Sequence, residues 1–286
     1  MNVTRFAPAK INLCLHVGRP NVDGRHPLES LVVFARDVGD TLSAVRSEAL
    51  TLQITGPFAA DLPVAEDNLV LRAARKLADS ARVAPRANLT LDKHLPVASG
   101  IGGGSADAAA ALRVLNDLWN LGVSLEGLED IAAELGADVP ACVRSCTVRM
   151  TGTGEAIEPA ACEPLHAVLV NPRAPVPTGA VYRAFDDAGL GAASLAVAAP
   201  SQTSTDTLRW LAGQTNDLEP AACVVAPAIG DVLAALRRLA PEALVRMSGS
   251  GATCFALVVD AAAAAQLAGA VQRAHPGWWI RTALLG

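Results

Sequence analysis

Aromatic residues make up only 3% of this 286-residue chain, and its formal net charge is −5. No basic stripe interleaves with aromatics, so the sequence offers no platform for a nucleic-acid strand. The six cysteines contain no C-x-x-C pair, and the five histidines do not cluster with them. Zinc spacing is therefore missing, and the expectation is reduced, mostly buried thiols of a cytosolic protein. No uncharged apolar run reaches the roughly 18 residues needed to cross a membrane. The start, MNVTRFAPAKINLCLHV, lacks the basic start followed by a long apolar core and cleavage site that marks a secretory leader. A soluble, cytoplasmic protein without a nucleic-acid or membrane partner is expected, and oligomeric state stays open.

Lysine is scarcer still, with Lys10, Lys76 and Lys93 the only three among 23 basic residues. None of them follows the glycine-rich stretch LPVASGIGGGSADAAAAL at residues 95–112, where a P-loop would require Gly-Lys-Ser/Thr. The dinucleotide pattern G-x-G-x-x-G fails as well, because its third glycine would fall on Ser105. Both familiar phosphate loops are excluded, yet Gly100, Gly102, Gly103 and Gly104 crowd into five positions. Glycines admit positive φ and close approach to a ligand, and a helix start beyond them exposes N–H groups to an anion. A cradle for nucleotide phosphates and a strand–helix turn both fit that pattern.

Periodicity places the loop among mixed elements. Alternation over 9–17 predicts a half-buried strand, with further strands at 31–35, 51–54 and 88–91. Helical spacing covers 68–80, then 105–119 with Ser105 as N-cap and Asp107 in the first turn, then 125–135. Residues 143–150 read as a strand, and the proline-containing segment 158–164 as a domain boundary. Beyond it come a strand at 166–170, a helix at 179–188, a low-complexity surface loop at 189–204 and helices at 217–225 and 228–239. A β-β-α-β ending at 243–247, 253–259, 262–274 and 279–284 completes an α+β pattern in two lobes, 1–158 and 159–286.

Two further segments carry chemistry. In APAKIN, Lys10 lies within an apolar strand, either as an exposed strand residue or as a compact charge beside a transferring phosphoryl group. In LGADVP, Asp138 follows a helix-ending glycine and precedes Val139-Pro140. It reads as a turn aspartate or as a general base for a substrate hydroxyl. A later glycine turn, MSGSGA at 247–252, is a plain hairpin or a second backbone nest for the same anion.

Five segments in this order, PAKINLCLHVGRPNVDGRHPLESLVVF, LPVASGIGGGSADAAAALRVLNDLW, LGADVP, TNDLEP and MSGSGATCFAL, resemble the GHMP kinases. The resemblance implies an N-terminal lobe of the ribosomal protein S5 domain 2-like type and a ferredoxin-like C-terminal lobe. It implies an ATP-dependent small-molecule kinase, with Mg²⁺ accompanying ATP. Within the family it points to the branch whose acceptor hydroxyl belongs to a cytidine diphosphate derivative. Homoserine or mevalonate kinases, and a nucleotide-binding regulator without catalysis, are the alternatives. By position Lys10 and Asp138 match the catalytic pair. Pro96, Val97, Ala98, Ser99, Gly100, Ile101, Gly102, Gly103, Gly104, Ser105 and Ala106 match the ATP-phosphate loop. Asn12, His26 and Tyr182 match positions near the acceptor and its base.

The departures are specific. Arg25 in Asp23-Gly24-Arg25-His26 stands where the family usually has tyrosine, and its flat guanidinium offers another stacking surface. Ala98 replaces a usual loop glycine, and Ala106 a common second serine.

Overall fold

The structure is a computed structural model that describes residues 2–62, 65, 67–193, 195 and 204–286. In chain order the elements are β1 (Asn2–Asn12), β2 (His16–Val17), β3 (Leu28–Val45), β4 (Leu50–Thr55), α1 (Leu69–Ala81), β5 (Ala87–Asp92), α2 (Gly103–Trp119), α3 (Leu125–Ala133) and α4 (Val139–Arg144). There follow β6 (Val148–Thr151), β7 (Ala156–Pro159), β8 (Leu165–Asn171), α5 (Thr178–Asp187), α6 (Ser204–Ala212), α7 (Glu219–Val225), α8 (Ala228–Leu239), β9 (Leu244–Met247), β10 (Cys254–Val258), α9 (Ala261–Ala274) and β11 (Trp279–Leu285). Contacts group them into two units built from discontinuous segments. One holds Met1–Lys10, Gly39–Val97 and Gly102–Cys146; the other holds Ile11–Val38, Ala98–Ile101 and Thr147–Gly286.

In the first unit β4 runs parallel to β5, and β5 pairs antiparallel with the far half of β3, Thr41↔Asp92 through Val45↔Asn88. α1 starts where the Asn68 side chain accepts the Val70 N–H at 3.0 Å, a side-chain cap of the usual kind. It packs on α2, which also meets α3 and α4. The alanine run of α2 explains that position. Ala106 and Ala108 to Ala111 have no exposed surface, so small side chains let several neighbours approach one strongly helical segment.

The second unit contains a β-α-β-β-α-β path, β8, α8, β9, β10, α9 and β11, in an antiparallel sheet ordered β11-β8-β10-β9. That is the ferredoxin-like arrangement. Its core joins Val168 and Val170 of the sheet to Val232 and Leu236 of α8 and Leu267 and Val271 of α9. Each such side chain contributes roughly 1.5–3 kcal/mol on burial.

Several elements differ from the periodicity reading, each for a local reason. β1 is buried on both faces from Ala7 to Asn12, not half-buried, and it ends before residue 13. α2 begins two residues before Ser105. Its N-cap is Gly102, and Asp107 is buried within the helix. Residues 139–144 form the short helix α4 with proline in its first turn, where a missing N–H costs nothing, so the strand read at 143–150 shrinks to β6. α6 occupies 204–212; most of the low-complexity loop expected at 189–204 lies outside the described residues. The cysteines are all free, but only Cys14, Cys142 and Cys254 are buried. No helix among the described residues is long and apolar enough to cross a membrane.

Candidate active site

The first unit brings together three of the singled-out features. Lys10, near the end of β1, places its Nζ 2.7 Å from Asp138 Oδ2. The lysine side chain is 5% exposed and the aspartate 38%, so the ammonium is enclosed while the carboxylate reaches water. Asp138 is the N-cap of α4 but makes no capping bond with its side chain. The ordinary role of a capping aspartate is therefore not the one it fills. Gly102, at φ 63°, turns the loop onto the start of α2, and a Cβ there would lie 3.1 Å from Lys10 Cβ. The loop backbone thus touches the stem of the same lysine. The first helical hydrogen bond runs from Ala106 N–H to Gly102 O at 2.8 Å. The N–H groups of Gly103, Gly104 and Ser105 accordingly have no acceptor within the helix, and the positive end of the helix dipole adds to their pull on an anion.

Beneath that helix start lies a cluster that the periodicity reading did not single out. Lys93 Nζ is 2.5 Å from Asp40 Oδ2 and 2.7 Å from Asp107 Oδ2, with all three side chains at most 2% exposed. Asp40 Oδ1 also accepts the N–H groups of His94 and Leu95, at 2.5 and 2.8 Å. A Cβ on Gly103 would stand 3.1 Å from Lys93 Nζ, which places the ammonium directly under the loop. Burial pushes the Asp107 carboxyl above its ordinary range, against the lowering by Lys93. Burial alone would lower the Lys93 ammonium, and Asp107 and Asp40 more than reverse it. The available signal was the scarcity of lysine itself.

The second unit holds the middle of the loop. Ala98 lies at φ 50°, the left-handed region that explains why a glycine is usual at this place. Gly100, at φ 75°, has room for no side chain: a Cβ would fall 2.5 Å from Ser248 O and 2.7 Å from Gly251 N. Thr253 N–H donates to Ser99 O at 3.0 Å, and Ser248 Oγ donates to Gly100 O at 3.1 Å. The later glycine turn therefore packs on this part of the loop and is no free-standing hairpin. Asn216 holds the turn from behind, donating to Met247 O and Gly249 O, both at 2.8 Å, and Glu219 accepts Met247 N–H at 3.0 Å.

Asn12 is also in the second unit. Its N–H donates to Ser248 Oγ at 3.1 Å and its Nδ2 to Ser30 Oγ at 2.8 Å. Its buried Oδ1 has no partner among the described residues. His26 lies against Tyr182, ring centroids 4.9 Å apart, and Phe185 edge-on at 6.0 Å. Its Nδ1 is 2.9 Å from Gly18 O; a carbonyl only accepts, so that nitrogen carries the proton. Nε2 faces Asp186 Oδ2 at 3.4 Å. Arg25 is exposed and donates to Thr153 Oγ1 at 3.0 Å. A separate cavity of about 640 Å³, lined by Leu208, Leu239, Leu257 and Leu267 among others, is mostly apolar and contains none of these groups.

Comparison with known proteins agrees over nearly the whole chain. The family model for the GHMP kinases N terminal domain matches residues 68–145, and that for the GHMP kinases C terminal matches 202–277. The 4-diphosphocytidyl-2-C-methyl-D-erythritol kinase of Parvibaculum lavamentivorans is 50% identical over 99% of this chain and 98% of its own. The protein of the same name from Cereibacter sphaeroides is 51% identical over 97% of both chains. A crystal structure of 4-(cytidine 5'-diphospho)-2C-methyl-D-erythritol kinase superposes with a TM-score of 0.78 at 30% identity, covering 99% of each chain. Homoserine kinase from Cytophaga hutchinsonii, at 20% identity and a TM-score of 0.72, shares the fold.

Proposed function

We infer the chemistry of this protein from one premise: the chain belongs to the GHMP kinases and is an ATP-dependent kinase. Its reaction is phosphorylation of the 2-hydroxyl of 4-(cytidine 5'-diphospho)-2-C-methyl-D-erythritol, a step in non-mevalonate isoprenoid precursor biosynthesis. The observation that carries the residue assignment is the Lys10–Asp138 pair at 2.7 Å, with the loop glycine Gly102 against the same lysine.

Asp138 takes the proton of the acceptor hydroxyl as its oxygen attacks the γ-phosphorus of ATP. The bond from that phosphorus to the β-γ bridging oxygen breaks, ADP leaves, and Asp138 later returns the proton to solvent. Lys10 holds Asp138 in place and offsets the negative charge that builds on the transferring group. Residues 96–106 form the cradle for the phosphates, with the backbone N–H groups of Gly103, Gly104 and Ser105 at the start of α2 as the foremost donors. Mg²⁺ enters with ATP as part of the substrate. It commonly relies on phosphate oxygens, water and one or two carboxylates. The unpartnered Oδ1 of Asn12 accepts a hydroxyl of the acceptor. His26, its tautomer set by Gly18, and the Tyr182 ring receive the cytosine base.

The test is ADP release from purified protein offered the cytidine compound, homoserine and mevalonate in turn. Turnover is expected with the first alone. Absence of turnover with it would refute the assignment.

A further inference from the structure

Arg113 is the side chain that fastens the two elements bearing Lys10 and Asp138. It projects from α2, whose first residues end the glycine loop. Its Nη1 donates to Cys142 O at 3.2 Å, Val143 O at 3.1 Å and Ser145 Oγ at 2.8 Å, and its Nη2 donates to Phe6 O at 2.9 Å. Phe6 lies on β1, four residues before Lys10, and Cys142 on α4, four residues after Asp138. The line of bonds continues to the site, because Cys142 N–H donates to Asp138 O at 3.2 Å. β1 and α4 are thus joined twice, by Lys10–Asp138 at one end and by Arg113 at the other. The carbonyls it meets close a helix of only six residues; they lack helical N–H partners, although Ser145 Oγ also donates to Cys142 O at 2.5 Å, and the negative end of the helix favours a cation. A guanidinium supplies several donors in one fixed plane, which a lysine cannot do.

We propose that Arg113 is a positioning residue that sets the separation of Lys10 and Asp138 by clamping β1 and α4 to α2. The proposal rests on the reading that this pair is catalytic. Displacing a reacting group by about 1 Å costs on the order of 10²-fold in rate. Arg113→Met should therefore lower kcat by about 10- to 100-fold while the Kd for ATP stays within about threefold. Arg113→Lys, which restores one cation but not the fork, should recover part of the loss.

The experiment is steady-state kinetics on both variants, calorimetric titration with ATP, and thermal melting to establish that each is folded. The decisive comparison adds the double variant Asp138→Asn/Arg113→Met. A residue that acts through the pair costs nothing further once Asp138 is gone, whereas a general structural defect multiplies the loss. A folded Arg113→Met with kcat within about twofold of wild type overturns the proposal. So does an equal loss in kcat and ATP affinity, or a double variant slower than Asp138→Asn by the factor that Arg113→Met shows alone. Should Arg113→Met fail to fold, Arg113→Lys is judged on the same criteria. Asp138→Asn assayed beside them separates the two readings. If it keeps full activity, the assignment of the pair falls; if it is inactive while Arg113→Met is not, only the clamp falls.

Discussion

Two lysine–aspartate clusters in one unit look alike on paper and differ in what surrounds them. Lys93 is sealed between Asp40 and Asp107, with no side chain of the three more than 2% exposed. Lys10 is nearly as buried, but Asp138 is 38% exposed. In the sealed cluster the low-dielectric surroundings make every missing partner costly, so the groups are fixed and serve to hold β3, the end of β5 and α2 together. In the open pair one carboxylate keeps access to water and to whatever enters. A buried cation with a reachable anion is the arrangement suited to proton transfer; a buried cation between two buried anions is suited to support.

The largest effect should come from the open pair. Asp138→Asn is expected to lower kcat by about 10²- to 10⁴-fold, the usual range for a general base, with ATP binding retained by calorimetry. Activity near wild type would remove the functional half of the contrast. On the sealed side, Lys93→Met leaves two buried carboxylates without their cation and should destabilise the fold by about 3–5 kcal/mol in urea titration. Lys10→Met should cost distinctly less stability, because water can still reach Asp138. Equal losses would mean that burial does not distinguish the clusters.

An ion pair in the other unit sharpens the same contrast through pH. His16 Nδ1 lies 3.6 Å from Asp217 Oδ1, and Nε2 lies 3.0 Å from Gln214 Oε1. Its interaction with Asp217, then that with Cys14, raises the imidazole from 6.5 to about 10. Folding therefore favours the protonated ring. The stabilisation is complete below pH 6.5 and fades as pH rises from there through about 10. The difference in unfolding free energy between wild type and His16→Gln should shrink across that window, and a gap that widens toward pH 10 would show the sign to be wrong. The smallest effect concerns the loop. Ala98→Gly relieves a left-handed alanine and should raise stability by about 1 kcal/mol or less, since glycine also loses more entropy on folding. A loss of stability on chemical denaturation would mean that the alanine methyl group packs usefully there.

Much of the architecture was readable from local pattern. The helix at 228–239 and the closing β-β-α-β run follow from apolar period and turn placement. The failures share a cause. α4 has six residues, too few to display a helical period, and its valines favour a strand by propensity alone. Ser105 carries the chemistry of an N-cap, yet Gly102 takes that place because the left-handed turn and the close approach to Lys10 require a residue without a side chain. Lys93, Asp40 and Asp107 come from separate elements, and nothing in their local sequence marks them as partners. The 98–101 segment groups with residues from the far end of the chain, through the bonds of Ser248 and Thr253 to Gly100 and Ser99, partners that no local pattern announces.

Motif order sufficed to place the chain among phosphoryl-transfer proteins and to single out Lys10 and Asp138, because five segments in family order fix which lysine and which aspartate match the family positions. Folding decided which lysine is sealed and which stands beside an open carboxylate, and what holds the latter pair in register. Exposure, the missing capping bond at Asp138 and the Arg113 clamp arise from packing between segments far apart in sequence, where local pattern carries no information.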